Sequence, residues 1–292
     1  AQVYGVQRLC NHYAARLAPL NGPDPSRESN RRLAQITQYA RQLASSPEVI
    51  DNRARQQLDE VGLTCDDIIL MDQIIGFIGF QARAIAAFQA MEGLPVRWMP
   101  GMEMQAWAAA EPFSAGSAAW TPAFSGVEQR RASATQLDAQ AQWQTLPELR
   151  VLASQLAHEH GVLNELGAIV QSDLRADLAP ALTEQVALLT ARINGSVDCF
   201  YARPQSPDDE ALLAALQDGE QAVLRWSQHD ARTRAVVVAV QQLTRAADRF
   251  SAAQFNPLID EGFSTQQALS LLVWSGLCGW LNRLKIALGE RQ

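Results

Sequence analysis

Two stretches decide the fold: Leu58-Asp59-Glu60-Val61-Gly62-Leu63-Thr64 and Leu258-Ile259-Asp260-Glu261-Gly262-Phe263-Ser264. They repeat one pattern at a fixed offset of 200 residues, and the same offset carries Gly76, Gly79 and Arg83 onto Gly276, Gly279 and Arg283. Running backwards without a gap, Leu43 meets Leu243 and Arg32 meets Arg232. Each stretch reads as the end of one helix followed by the start of the next. Gly62 and Gly262 suit the left-handed position just past a helix. Thr64 and Ser264 suit the N-cap of the following helix, where Gln267 completes a capping box and Asp67 is the weaker counterpart. Gly76-x-x-Gly79 and Gly276-x-x-Gly279 set two small residues on nearly one helix face, so that another helix can approach closely. Intramolecular packing is the simpler reading of that face, and a contact between lobes or subunits the functional one. Arg83 and Arg283 are expected to cap carbonyls or pair with a carboxylate.

Outward from the repeat, the chain is rich in Ala, Leu, Gln, Arg and Glu, the good helix formers. Alternating β-branched runs are nearly absent. The exception, Ala235-Val236-Val237-Val238-Ala239-Val240, continues into Leu243, Ala247 and Phe250, a spacing that predicts a buried helix. One stretch breaks the pattern. Between Leu94 and Thr145 stand Pro95, Pro100, Pro112 and Pro122, threaded with Trp98, Trp107, Phe113, Trp120, Phe124 and Trp143. Disordered linkers are poor in aromatics, so this segment is expected to be ordered and packed on the helices. Short helices are expected around Met102–Ala110 and Val127–Ala141. The reading is therefore an all-α fold of two pseudo-repeated helical lobes, 1–94 and 146–292, joined by an aromatic-rich connector, 95–145.

Composition removes several functions. Of 292 residues, 48% are hydrophobic and 19% charged, with a net charge of −7. A chain this apolar builds a core, and its acidic balance lacks the basic face that nucleic acid or an anionic membrane needs. The longest apolar run, Ala268 to Leu281, falls short of the roughly 20 residues that span a bilayer. No basic-then-apolar leader opens the sequence and no Met stands at position 1, so residues are expected to be missing before Ala1. Cys10, Cys65, Cys199 and Cys278 form neither a disulfide framework nor a zinc signature. They are expected to be reduced thiols in the cytoplasm. His158-Glu159-His160 has the wrong spacing for two ligands on one helix face. No metal or cofactor is expected. Cys10, Cys65 and Cys278 lie in apolar helical contexts and read as core; whether one of them meets Cys199 depends on the fold.

The richest local pattern runs from Leu182 to Arg203. Thr183 reads as an N-cap with Glu184 in the first turn, followed by the apolar stripe Val186, Leu189 and Ile193. Asn194-Gly195 signals a break. Beyond it Ser196, Cys199 and Arg203 would share one face of a new helix, which Pro204 ends. Cys199 then lies in a first turn, where the helix dipole and Arg203 favour thiolate and Asp198 opposes it. One straight helix from 184 to 196 would separate Glu184 from Ser196 by about 18 Å at ~1.5 Å per residue. For Glu184 to act with the cysteine, the chain must turn back near Asn194-Gly195, or the carboxylate must act from another element or subunit.

This pattern resembles the alkyl hydroperoxidase D / carboxymuconolactone decarboxylase superfamily (AhpD/CMD). Its peroxidases carry a Glu and then Cys-x-x-Cys-x-x-x-His at the spacing of Glu184, 196, 199 and 203. Glu184 and Cys199 match; Ser196 replaces the first Cys and Arg203 the His. The closing segment from Gly262 to Leu284 is also similar, residues 1–94 are a weaker copy without the motif, and the segments Gln7–Tyr13 and Arg27–Arg32 look most like the YciW-type oxidoreductases. The resemblance implies that Cys199 is the catalytic, peroxidatic residue and Glu184 a general acid/base, with Ser196, Arg203 and Asp198 in support. An alcohol forms no disulfide, and an arginine carries no proton back and forth near neutral pH. The expected function is a peroxidase-related oxidoreductase whose single reacting cysteine is restored by an external thiol, with peroxide as substrate. Two alternatives stand beside it: a non-redox decarboxylase-branch enzyme in which Arg203 binds a small carboxylate and Glu184 moves a proton, and a non-catalytic helical assembly module. The family also implies a homo-oligomer.

Overall fold

The computed structural model describes residues 6–14, 27–96, 111–113, 120–203 and 210–290. Fourteen α-helices occur among them: α1 (Gln7–Ala14), α2 (Arg27–Ser45), α3 (Asn52–Asp59), α4 (Cys65–Met91), α5 (Ala134–Trp143), α6 (Ala153–Leu156), α7 (His160–Gln171), α8 (Pro180–Asn194), α9 (Val197–Tyr201), α10 (Glu210–Asp218), α11 (Glu220–Trp226), α12 (Ala231–Arg245), α13 (Ala252–Asp260) and α14 (Thr265–Leu288). No strand occurs among the described residues; the only pairing of that kind is an isolated bridge between Pro122 and Gly289. The chain is all-α.

The stretches 58–64 and 258–264 become the turns into the two longest helices. Gly62 and Gly262 take φ of 81° and 84°, the left-handed region that glycine enters without a Cβ penalty. Two residues on, Thr64 and Ser264 each cap the next helix, and in both the residue at N3 (Asp67 or Gln267) bonds back to complete a capping box. Upstream, a 3-10 turn precedes each short helix, at 47–49 before α3 and at 247–249 before α13, again at the offset of 200. Asp51 and Ser251 are the N-caps of those short helices.

α4 and α14 pack along each other and form the centre of the molecule. The glycines face the opposite helix: the Trp280 ring lies on Gly76, while Phe80 and Arg83 lie on Gly276. The arginines then cross over. Arg283 donates to Gly279 O (2.8 Å) within its own helix and to Leu43 O (3.1 Å) and Ala44 O (2.9 Å) at the end of α2. Arg83 donates to Gly79 O (3.0 Å) and to Thr244 O at the end of α12. The last carbonyls of a helix have no partner within it. Each long helix thus caps, through a buried guanidinium, a helix from the other half of the chain. One contiguous apolar cluster, from Val6 to Leu288, surrounds this crossing.

Among the described residues α4 alone is long and apolar enough to cross a membrane, with a mean hydropathy of 1.4 over its best window. Half of that window is buried within the chain, and the helix carries the buried polar residues Asp72, Gln73 and Arg83.

The expected helix at Met102–Ala110 lies outside the described residues. The one expected at Val127–Ala141 starts later, at Ala134, because Ser133 and Gln136 form a capping box there. The described aromatics of this segment are anchored. Trp143 Nε1 donates to Asn164 (2.7 Å) and Trp120 Nε1 to Lys285 O (2.9 Å). Phe113 is buried, beneath the Arg192 guanidinium.

Candidate functional site

α8 begins earlier than Thr183. Pro180 occupies the first turn, where its missing N–H costs nothing. The Thr183 hydroxyl therefore does not cap; it donates to Pro180 O (2.7 Å). Glu184 follows in the second turn. At the other end Gly195 takes φ 72° and reverses the chain, so α9 returns against α8 and α14. α9 ends at Tyr201, so Arg203 lies just beyond it instead of on a shared face with Ser196 and Cys199. With five residues, α9 has little of the dipole expected to act on the cysteine.

The reversal brings Arg203, but not Ser196, back to Glu184. Arg203 Nη1 donates to Glu184 Oε2 at 2.9 Å. The arginine side chain is 16% exposed and that of the glutamate 37%, so the pair lies at a rim with the guanidinium inward. Both cluster with two residues of α14. Trp274 is buried, donates through Nε1 to Thr183 O (3.0 Å), and has Arg203 5.7 Å and Arg175 4.4 Å from its ring centre. Arg175 is itself paired with Glu148 at 3.0 Å. Cys278, one helical turn beyond Trp274, is buried close enough to Arg203, Cys199 and Glu184 for their charges to act on it.

The electrostatics follow from these neighbours. Burial pushes the Cys278 thiol up to about 12; Arg203 and Arg175 pull it down, while Cys199 and Glu184 add to the rise. At neutral pH it is a protonated thiol. Burial disfavours the Arg203 charge, but Cys278, Glu184 with its hydrogen bond, and Cys199 outweigh it and hold the guanidinium above its ordinary value. Cys199 is half-buried on α9, with Asp198 beside it. Ser196 is the N-cap residue of α9, almost wholly buried, and its Oγ has no hydrogen-bond partner among the described residues.

The reversal thus gathers Glu184, Cys199 and Arg203, while Ser196 stays at the far end of α8 from Glu184, about 15 Å away at ~1.5 Å per residue. Sequence reasoning placed Cys278 in the core and did not single out Trp274 or Arg175. A signal was present: Trp274 and Cys278 are four apart, on one face of a helix. Of the other thiols, Cys65 is half-buried against the core cluster and Cys10 is half-buried on α1. A separate cleft of about 400 Å³, lined by residues of α1 and the far half of α4 such as Leu9, His12, Ile85 and Phe88, shares no residue with this cluster.

No family model matches the chain, and neither the curated proteins nor the solved structures compared with it include a match.

Proposed function

We propose that the protein is a thiol-dependent peroxidase or closely related oxidoreductase of the AhpD-like kind, with Cys199 as the residue that meets the peroxide. On this reading residues 1–94 and 146–292 are two pseudo-repeated lobes joined by 95–145, and only the second carries the site. The observation that carries the reading is the gathering of Cys199, Cys278, Glu184 and Arg203 around one chain reversal.

The chemistry runs as follows. The Cys199 thiolate attacks one peroxide oxygen; the S–O bond forms, the O–O bond breaks, and the leaving oxygen takes a proton to depart as alcohol or water. Sulfur loses two electrons and the peroxide gains them. Arg203 stabilises the thiolate before the step and the sulfenate after it. Glu184, exposed at the rim, passes protons to and from solvent. Ser196 cannot resolve the sulfenic acid, but its unpartnered hydroxyl can donate to the sulfenate oxygen. Cys278, whose charge environment includes Cys199, supplies on this reading the resolving group that the motif lacks. The Cys278 thiol attacks the oxidised sulfur, an S–S bond forms, and water leaves with the thiol proton. An external thiol then returns both cysteines to the reduced state. Where Cys278 is replaced, that external thiol takes its place directly.

The Glu184–Arg203 ion pair counts against the non-redox alternative. Each residue already satisfies the other's charge, so a substrate carboxylate would have to displace Glu184. The same reading places the protein with the reduced thiols of the cytoplasm and makes it a homo-oligomer; a solution mass of one chain would remove the oligomer.

The test is peroxide consumption with a panel of thiol reductants. Wild type is expected to turn over and Cys199→Ser to be inactive. Cys278→Ser should retain activity with small thiols while losing the intramolecular disulfide. Equal activity of wild type and Cys199→Ser would overturn the proposal.

A further inference from the structure

We propose that Cys65, Asp66 and His158 form a binding site for a borderline transition-metal dication of the zinc class, separate from the Cys199 cluster. Their ligand atoms all lie within 4.8 Å of one another. Cys65 and Asp66 are the first two residues of α4, and His158 comes from the 3-10 turn at 157–159 that packs against that helix end. The neighbouring carboxylate, Asp67, is engaged in the Thr64 capping box, so Asp66 is the one that faces the imidazole.

His158 Nε2 lies 3.1 Å from the Ser125 carbonyl oxygen. A carbonyl only accepts, so Nε2 carries a proton and donates it. Nδ1 then points at Asp66 Oδ1, 2.7 Å away. The Cys65 sulfur lies beside them, so three donor atoms of different kinds converge on one point. Two ligands on one zinc lie about 3.2 Å apart at bonds of about 2.0 Å, so Nδ1 and Oδ1 would spread slightly on binding. Burial and the Asp66 charge push the Cys65 thiol up to about 11, so a dication would displace its proton; the thiolate, the carboxylate and a neutral imidazole then sum to two negative charges and neutralise it. Sulfur, nitrogen and oxygen together suit zinc or cobalt better than magnesium or calcium. The Nε2 bond to a backbone carbonyl is the outer-shell contact that fixes the tautomer of a metal-bound histidine. Three protein ligands at a half-exposed position leave a fourth place for water. His160 takes no part: it opens α7, while His158 belongs to the turn before it.

Co²⁺ titration of the purified 292-residue chain tests this. One equivalent is expected to bind and give a thiolate-to-cobalt charge-transfer absorption, with zinc displacing it. Cys65→Ser should abolish that absorption, and His158→Ala should weaken zinc binding by about 100-fold or more. Thermal unfolding should shift upward with zinc in wild type and in neither variant. Cys199→Ser and Cys278→Ser should bind like wild type, which keeps the outcome independent of the redox reading. Absence of a one-to-one complex, or a charge-transfer band that survives in Cys65→Ser, would overturn the proposal and leave Asp66–His158 as an ion pair.

Discussion

Gly76→Ala is a sharp test of how the two long helices cross. A Cβ built at Gly76 would sit 2.0 Å from Trp280 Cδ1 and 2.5 Å from its Nε1. Carbon atoms pack at about 3.5–4.0 Å, so the indole must retreat by about 1.5 Å. It has little room, being 1% exposed and flanked by the Phe77 and Phe80 rings at 5.5 and 6.0 Å. Overpacking of this kind costs about 1–3 kcal/mol. Replacing glycine by alanine within a helix returns about 1 kcal/mol. With a rigid ring in the way the upper end applies, and the net loss should be about 2 kcal/mol. The corresponding Gly276→Ala is a built-in control. There the new Cβ meets Arg83 Cβ at 3.3 Å and Phe80 Cδ2 at 3.5 Å, which a small adjustment relieves. Its stability should stay within about 1 kcal/mol of wild type. Adding Trp280→Phe, which places in α14 the ring that α4 carries at Phe80, should recover part of the Gly76→Ala loss, with a coupling of order 1 kcal/mol. Urea unfolding read at constant m gives all of these values. If Gly76→Ala matches Gly276→Ala, or is as stable as wild type, the described crossing is wrong.

Other expectations follow from single residues. Arg283→Met removes donors from three backbone carbonyls and should cost about 3 kcal/mol in the same unfolding assay, whereas Arg131→Ala, at an exposed ion pair, should be near neutral. Asp72 is fully buried, and burial pushes its carboxyl from 3.8 up to about 8 despite the opposing pull of Tyr39 and Arg55. Between those values the folded chain keeps a proton that the unfolded chain releases, so stability falls as pH rises and levels off above about 8. Asp72→Asn should flatten that slope, seen as unfolding free energies measured from pH 5 to about 9. At the site, Arg203→Ala should slow peroxide oxidation of Cys199 by at least 10-fold, and Glu184→Gln should alter the pH dependence of the rate, because one removes the stabilising charge and the other the proton carrier.

Several local signals are readable from the chain because they recur at the same offset. Gly62 and Gly262, Thr64 and Ser264, and Arg83 and Arg283 each repeat a local rule, and local rules are what sequence expresses most directly. The partners of those arginines were not legible: Leu43, Ala44 and Thr244 offer backbone carbonyls, and a carbonyl leaves no mark in sequence. The same limit hid the start of α8. Thr183 is a good cap by type, but Pro180 sets the helix one turn earlier. At the site, a reversal near Gly195 was one of two ways for Glu184 to act with the motif; the chain does turn there, and the turn brings Arg203 to that carboxylate. Cys278 is buried in the core as its apolar context predicts; that Cys199 and Arg203 lie near enough to act on it was not legible, because a thiol in the apolar run from Ala268 to Leu281 looks the same whatever lies across from it. His158 was weighed only against His160, although its neighbours Cys65 and Asp66 stand at the start of α4. Asp72 is a buried carboxylate where the matching position holds Leu272, an asymmetry that a repeat-based reading passes over.

The most direct measurement is the identity of the cysteine that peroxide oxidises first. The reduced protein is treated with one equivalent of peroxide, quenched with a sulfenic-acid trap, and mapped by peptide mass spectrometry. In Cys278→Ser the trap is expected on Cys199; in wild type, a Cys199–Cys278 disulfide forms instead. Modification confined to the half-exposed Cys10 or Cys65, with Cys199 untouched, would contradict the redox account.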